Sequence, residues 1–191
     1  LIRRVMGWQT VVPVTFGHIS ESKAAVLDLL KQNYAAIRAE LDRLDGKIEM
    51  GIKVLWDVDN IFQHFVKNHR DLAQFRDHIF ARSSPPSQAE KIELGRLFDR
   101  KVSAEREQHA KTVFDVMGGV AAESRQLSPV DEKMVLNAAF LIERQKAQAF
   151  EEAVHLAARQ FDSNFTFDYN GPWAPYNFVE LVLELAAQAE A

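Results

Sequence analysis

Ile48-Glu49-Met50-Gly51-Ile52-Lys53-Val54-Leu55-Trp56 is the stretch from which the fold is read. In an extended chain Ile48, Met50, Ile52, Val54 and Trp56 fall on one side, and Glu49, Gly51, Lys53 and Asp57 on the other. A period of two over this length predicts a strand with one face in a core and the other wet or lightly covered. Further on, Met134-Val135-Leu136-Asn137-Ala138-Ala139-Phe140-Leu141-Ile142 is apolar on both faces, which marks a central strand. Phe165, Phe167 and Tyr169 alternate with Asn164, Thr166 and Asp168 and predict a last strand. Between the first two strands the apolar period lengthens to that of helices. Ile61, Phe62, Phe65, Leu72, Phe75, Ile79 and Phe80 form one aromatic stripe, capped by Asp57 or Asp59. Ser83-Ser84-Pro85-Pro86-Ser87 breaks the chain, because two prolines cannot continue a helix. Ile92, Leu94, Leu97, Phe98, Val102, Val113, Phe114 and Met117 then line a second long helix, ended by Gly118-Gly119.

A short strand over 120–126 and a turn at Ser128-Pro129 lead into the central strand. A helix from Glu143-Arg144 follows it, with Phe150, Val154, Ala157, Ala158 and Phe161 on its buried side. From about Gly46 to Tyr169 the order is strand, helices, strand, strand, helix, strand. That is an α+β chain with the split βαβ arrangement of ferredoxin-like antiparallel sheets, the first helical connection being enlarged. Before it, Leu1–Met6 reads as a helix end, and Thr10-Val11-Val12-Pro13-Val14 as an edge strand. A long helix follows, capped by Ser20 or Ser22, with Val26, Leu29, Leu30, Ile37, Leu41 and Leu44 as its apolar positions. The expected organisation is the remainder of an N-terminal α/β domain over 1–45, the ferredoxin-like domain over 46–177, and a helical tail over 178–191. The chain starts without Met inside a helical pattern, so it reads as a fragment.

The 191 residues are 47% hydrophobic and 26% charged, ordinary globular usage. A net charge of -4 and the lack of a basic stripe argue against nucleic acid. With no cysteine there is no disulfide, thiolate metal site or cysteine nucleophile. No apolar run approaches the roughly 20 residues of a membrane helix.

Chemistry is sparse. His64 and His69 are five residues apart, about 140° around a helix, so they do not share a face. His78, His109 and His155 are scattered on helices, and His18 alone sits in a loop. The paired acids Asp131-Glu132 and Glu151-Glu152 fall at element starts, where carboxylates serve helix ends and turns. No phosphate loop, dinucleotide fingerprint or serine elbow is present. No catalytic, cofactor-binding or metal-binding residues are therefore assigned, and the chain is read as a binding module. The candidate partner-binding residues are Phe62 and Phe65 on the aromatic helix, and Trp173, Pro175, Tyr176 and Phe178 in Asn170-Gly171-Pro172-Trp173-Ala174-Pro175-Tyr176-Asn177-Phe178. In that stretch Asn-Gly favours a tight turn and two prolines stiffen the chain, so Trp173 and Tyr176 become fixed aromatic anchors. The alternative is a ferredoxin-like small-molecule-binding module or oxygenase-type enzyme, with His64, His69 or His109 turned into a pocket.

Gly171-Pro172-Trp173-Ala174-Pro175-Tyr176-Asn177-Phe178-Val179 resembles the C-terminal signature of the gas vesicle protein F/L family. Val11-Val12-Pro13-Val14-Thr15-Phe16-Gly17, Met50-Gly51-Ile52-Lys53-Val54 and Leu136-Asn137-Ala138-Ala139-Phe140-Leu141-Ile142 are similar to further segments of that family, in the same order. Members carry an additional portion before the strand at Val11, which this chain is expected to lack. The resemblance implies a gas vesicle accessory or minor structural protein without catalytic residues or cofactor. It further implies localisation to the gas vesicle and contact with gas vesicle shell protein A and other accessory proteins.

Overall fold

The computed structural model describes residues 2–14, 17 and 19–184. Leu1, Thr15, Phe16, His18 and the end of the expected tail helix from Leu185 lie outside the described residues.

Strands β1 (Lys47–Trp56), β2 (Glu123–Leu127), β3 (Met134–Glu143) and β4 (Phe165–Trp173) form one sheet in the order β2-β3-β1-β4. Every neighbouring pair is antiparallel. The alternation read in β1 sets its face: Ile48, Met50, Ile52, Val54 and Trp56 are all buried. β3 is buried from Met134 to Ile142 apart from Asn137, because both its faces are covered.

One face carries the helices. α4 (Ile61–Asn68), α5 (Arg70–Phe80), α6 (Gln88–Met117) and α7 (Ala147–Ala158) close over it. Trp56 meets Phe65 edge-on at 5.3 Å, and Phe140 meets Phe114 and Phe150, both at 5.6 Å. α6 starts in a capping box: Ser87 Oγ accepts from the Glu90 N–H while Glu90 accepts from the Ser87 N–H. These helices bury most of the aromatic stripe, leaving Phe80 at its end exposed. Phe65 has no accessible surface, and Phe62 is half-buried against Phe98 at 5.3 Å.

The other face is covered differently. Leu44, Ala139, Leu141 and Phe178 form a second, smaller cluster there, with Val12, Leu127 and Val179 packed against it. Its cover comes from α3 (Tyr34–Arg43), the segment around Val12 and the chain after β4.

Five local expectations differ. Residues 10–14 are not a strand; Pro13 has no N–H for a ladder, and the segment joins the second cluster through Val12 instead. After the short α1 (Ile2–Val5), the helix expected over 22–44 is interrupted at Asn33, giving α2 (Lys23–Gln32) and α3, although Ser22 caps it as read, accepting from the Ala25 N–H. The aromatic helix starts from Asn60, which accepts from the Gln63 N–H at 2.8 Å, rather than from Asp57 or Asp59. It breaks at His69, whose extended backbone ends α4 and opens α5. There the imidazole stacks on Phe65 and its Nε2 lies 2.8 Å from Glu105 of α6. Finally, the tail is not helical through Glu184.

Candidate functional site: the C-terminal strap and its aromatic turn

Among the described residues the buried polar side chains are Asn33, Glu40 and Glu49, each under 9% exposed. A buried polar group is costly unless it is hydrogen-bonded. All three are satisfied by one short stretch, residues 177–184, which we call the strap. Glu49 accepts from the Asn177 N–H at 2.8 Å and from Asn177 Nδ2 at 2.6 Å. Glu40 accepts from the Glu180 N–H at 3.0 Å. Asn33 accepts from the Glu184 N–H at 2.9 Å and donates through Nδ2 to the Glu184 carbonyl at 3.0 Å. That same amide reaches the Leu29 carbonyl at 2.8 Å, so the interruption between α2 and α3 is where Asn33 turns to the strap.

Arg43 ties the strap to the sheet. It holds Glu40 with two hydrogen bonds of 2.9 and 2.8 Å, meets Glu123 of β2 at 2.6 Å, and donates to the Phe178 carbonyl. The guanidinium beside Glu40 holds that carboxyl below its ordinary pKa. Glu49 moves the other way. Burial pushes its pKa up, opposed by the two Asn177 donors. Arg125 of β2 lies over the Phe178 ring at 5.4 Å and pairs with Glu180.

Phe178 is thus an internal anchor with no accessible surface; Ala174 and Pro175, just before it in the chain, are also buried, Ala174 within the larger core cluster. Between the end of β4 and this anchor the chain turns back on itself. The Tyr176 N–H donates to the Ala174 carbonyl at 2.7 Å and the Phe178 N–H to the Pro175 carbonyl at 3.0 Å. On this turn Trp173 is 39% and Tyr176 49% exposed. Trp173 Nε1 donates to Asn170 Oδ1 at 2.8 Å, which orients the indole. Ahead of the turn, inside the last residues of β4, Gly171 has a φ of +135°, a conformation side chains rarely adopt. A Cβ there would stand 2.6 Å from Met50 Sδ and 3.0 Å from the Glu49 carbonyl. Gly171→Ala is accordingly expected to cost about 1–3 kcal/mol, read as a lower urea midpoint.

Of the sequence candidates, then, Trp173 and Tyr176 lie on the surface of one turn. Pro175 and Phe178 lie beneath it, while Phe62 and Phe65 belong to the helical core on the opposite face. Sequence reading missed Asn33, Glu40, Arg43 and Glu49. A signal existed for Asn33, a polar residue between Leu29 and Ile37 on the apolar stripe of its helix.

The histidines do not converge. His64 is 3.1 Å from Asn68 on its own helix, and His78 and His155 are exposed. Among the described residues no three of His, Asp and Glu are placed to hold a metal ion. His109 packs edge-on to Phe165 at 4.7 Å and beside Phe161 at 5.1 Å. Burial lowers its pKa, against the opposing pull of Glu105 and Asp162. A lowered folded value means that its contribution to stability is present above the ordinary histidine pKa of about 6.5 and lost as pH falls through the folded one. The melting temperature is therefore expected to drop on acidification below about pH 6.5, and His109→Phe to flatten that part of the profile in thermal melts.

A sequence profile of the family described as Gas vesicle synthesis protein GvpL/GvpF matches residues 1–180. The chain is 31% identical to gas vesicle protein F of Nostoc sp. over 92% of its own length and 71% of that protein. It is 27% identical to gas vesicle protein F of Dolichospermum flosaquae over the same shares. The fold is similar to the crystal structure of gas vesicle protein GvpF from Anabaena sp., with a TM-score of 0.80 at 29% identity, covering 94% of this chain and 74% of that one. The crystal structure of GvpF from Microcystis aeruginosa superposes with a TM-score of 0.75 at 25% identity over the same shares.

Proposed function

The chain belongs to the gas vesicle synthesis protein GvpL/GvpF family, and on that premise we propose that it is a non-catalytic gas vesicle accessory protein that binds the hydrophobic shell protein A and supports vesicle nucleation and assembly. It works at the gas vesicle, alongside other accessory proteins. The sheet is read as a ferredoxin-like split βαβ, a reading supported by the strand order β2-β3-β1-β4 with helices linking β1 to β2 and β3 to β4.

The observation that carries the binding role is the aromatic turn. Trp173 and Tyr176 keep 39% and 49% of their surface exposed on a backbone pinned from below by Phe178 and Glu49. Large aromatic side chains held rigid lose little entropy on contact, which is why they recur as binding anchors. A strongly apolar shell subunit is prone to self-association through its exposed surface. Covering that surface contributes about 25 cal/mol per Å² before association costs are subtracted. Binding of this kind survives salt, unlike ion pairing. A pull-down with purified shell protein A is expected to retain it at both low and high salt. No retention at either would remove the reading.

A further inference from the structure

We propose that Asn33, Glu40, Arg43 and Glu49, with the pocket between Leu44 and Leu141, form a binding site for an extended peptide, and that the strap of a second copy of this chain occupies it in trans. This stands apart from shell-protein binding and requires no other protein.

The groove reads backbone. Its hydrogen bonds fall on the N–H groups of residues 177, 180 and 184 and on the carbonyls of 178 and 184. Side-chain contacts come from Asn177, whose Nδ2 donates to Glu49, from an aromatic residue at 178 enclosed by Leu44, Ala139 and Leu141, from Val179 packed against that cluster, and from a carboxylate at 180 facing Arg125. Among the described residues no backbone–backbone hydrogen bond ties 179–184 to another segment. The strap is thus held as a bound peptide is held, by side chains of the groove, rather than as a fifth strand.

The occupant known to fit is the strap itself, and a second copy carries it in the same register. Its tether is the turn from Ala174 to Phe178, closed by the two backbone bonds already given. Opening that turn lets the strap reach a neighbouring groove and remake every contact, which is the low-cost route to exchanged pairs. A short tether gives an effective concentration of the order of mM, so the cis form prevails in dilute solution and exchange grows as protein approaches that level. An emptied groove would strand the Glu40 and Glu49 carboxylates without their backbone donors. Exchange is therefore expected chiefly during folding, and to be slow to reverse.

The absence of cysteine permits a clean test with the full chain. One sample carries Arg125→Cys and the other Glu180→Cys; they are refolded together at about 10 µM and at about 1 mM, then treated with a short bismaleimide. A cross-linked pair is expected, at least about tenfold more abundant at the higher concentration. It should be lost when the Glu180→Cys chain also carries Phe178→Ala. The double variant in one chain should cross-link internally when dilute. In parallel, unmodified chain with and without ¹⁵N label is refolded together and examined by native mass spectrometry, where mixed-mass dimers are expected. The proposal is overturned by monomers alone in the mass spectra, by a mixture that stays unlinked while the double variant links internally, or by cross-linking that ignores Phe178→Ala.

Discussion

Phe178→Ala is expected to lower the unfolding free energy by about 3–5 kcal/mol, the largest effect of any single change in the strap. The ring has no accessible surface and forms the second cluster with Leu44, Ala139 and Leu141. Its removal opens a cavity that the rigid sheet on one side cannot collapse into. The backbone there is also fixed by Arg43, which donates to the Phe178 carbonyl, so the strap cannot easily slide to fill the gap. Urea denaturation followed by circular dichroism checks this through the midpoint, and Phe178→Leu, which keeps most of the volume, is expected to cost clearly less.

Arg43→Met is expected to cost about 2–4 kcal/mol. The change leaves Glu40, whose side chain is only 10% exposed, without its bidentate partner and with the Glu180 N–H as its remaining donor. Arg43 itself is 31% exposed, so water screens part of the pair and the loss sits below that of a fully buried bridge. The pH dependence separates this mechanism from simple loss of packing. Arg43 lowers the folded pKa of Glu40, so the stability it supplies is present above the ordinary glutamate value and lost as pH falls through the folded one. The gap between parent and variant should therefore narrow on acidification below about pH 4 in the same urea titrations.

The strands were legible because their signal is local. Alternation in Ile48–Trp56 and apolarity on both faces of Met134–Ile142 depend only on neighbours two residues away, and both strands lie where they were read. The site was legible in part. Pro175 and the aromatic residues around it marked the turn that carries Tyr176, but Asn170-Gly171, expected as a tight turn, lies inside β4, where the pairing with β1 shifts register and the chain turns only after Trp173. What held that turn in place was hidden, since Glu49 and Asn177 are 128 residues apart and Asn33 and Glu184 are 151 apart. No periodicity spans such distances. The tail misled for a related reason. Phe178, Val179, Leu181, Val182 and Leu183 surround Glu180 and Glu184 and read as a helix apolar on more than one side. In the fold the strap's hydrogen bonds come from groove side chains, so a sequence without strand alternation still takes a defined, non-helical path. Asn60 displaced Asp57 as a cap because Asp57 is still engaged at the sheet, where its N–H bonds the Asn164 carbonyl.

The aromatic turn is where structure and family meet, and one affinity decides whether it grips a partner. Binding of purified shell protein A is measured for the parent and for Trp173→Ala/Tyr176→Ala, at low salt and near 1 M salt, after matching melting temperatures show both chains folded. The expected result is tight binding by the parent at both salts and a loss of at least about tenfold in the double variant, the usual scale for truncating two aromatic anchors. Equal affinity in parent and variant, or binding by the parent that vanishes in high salt, would contradict it.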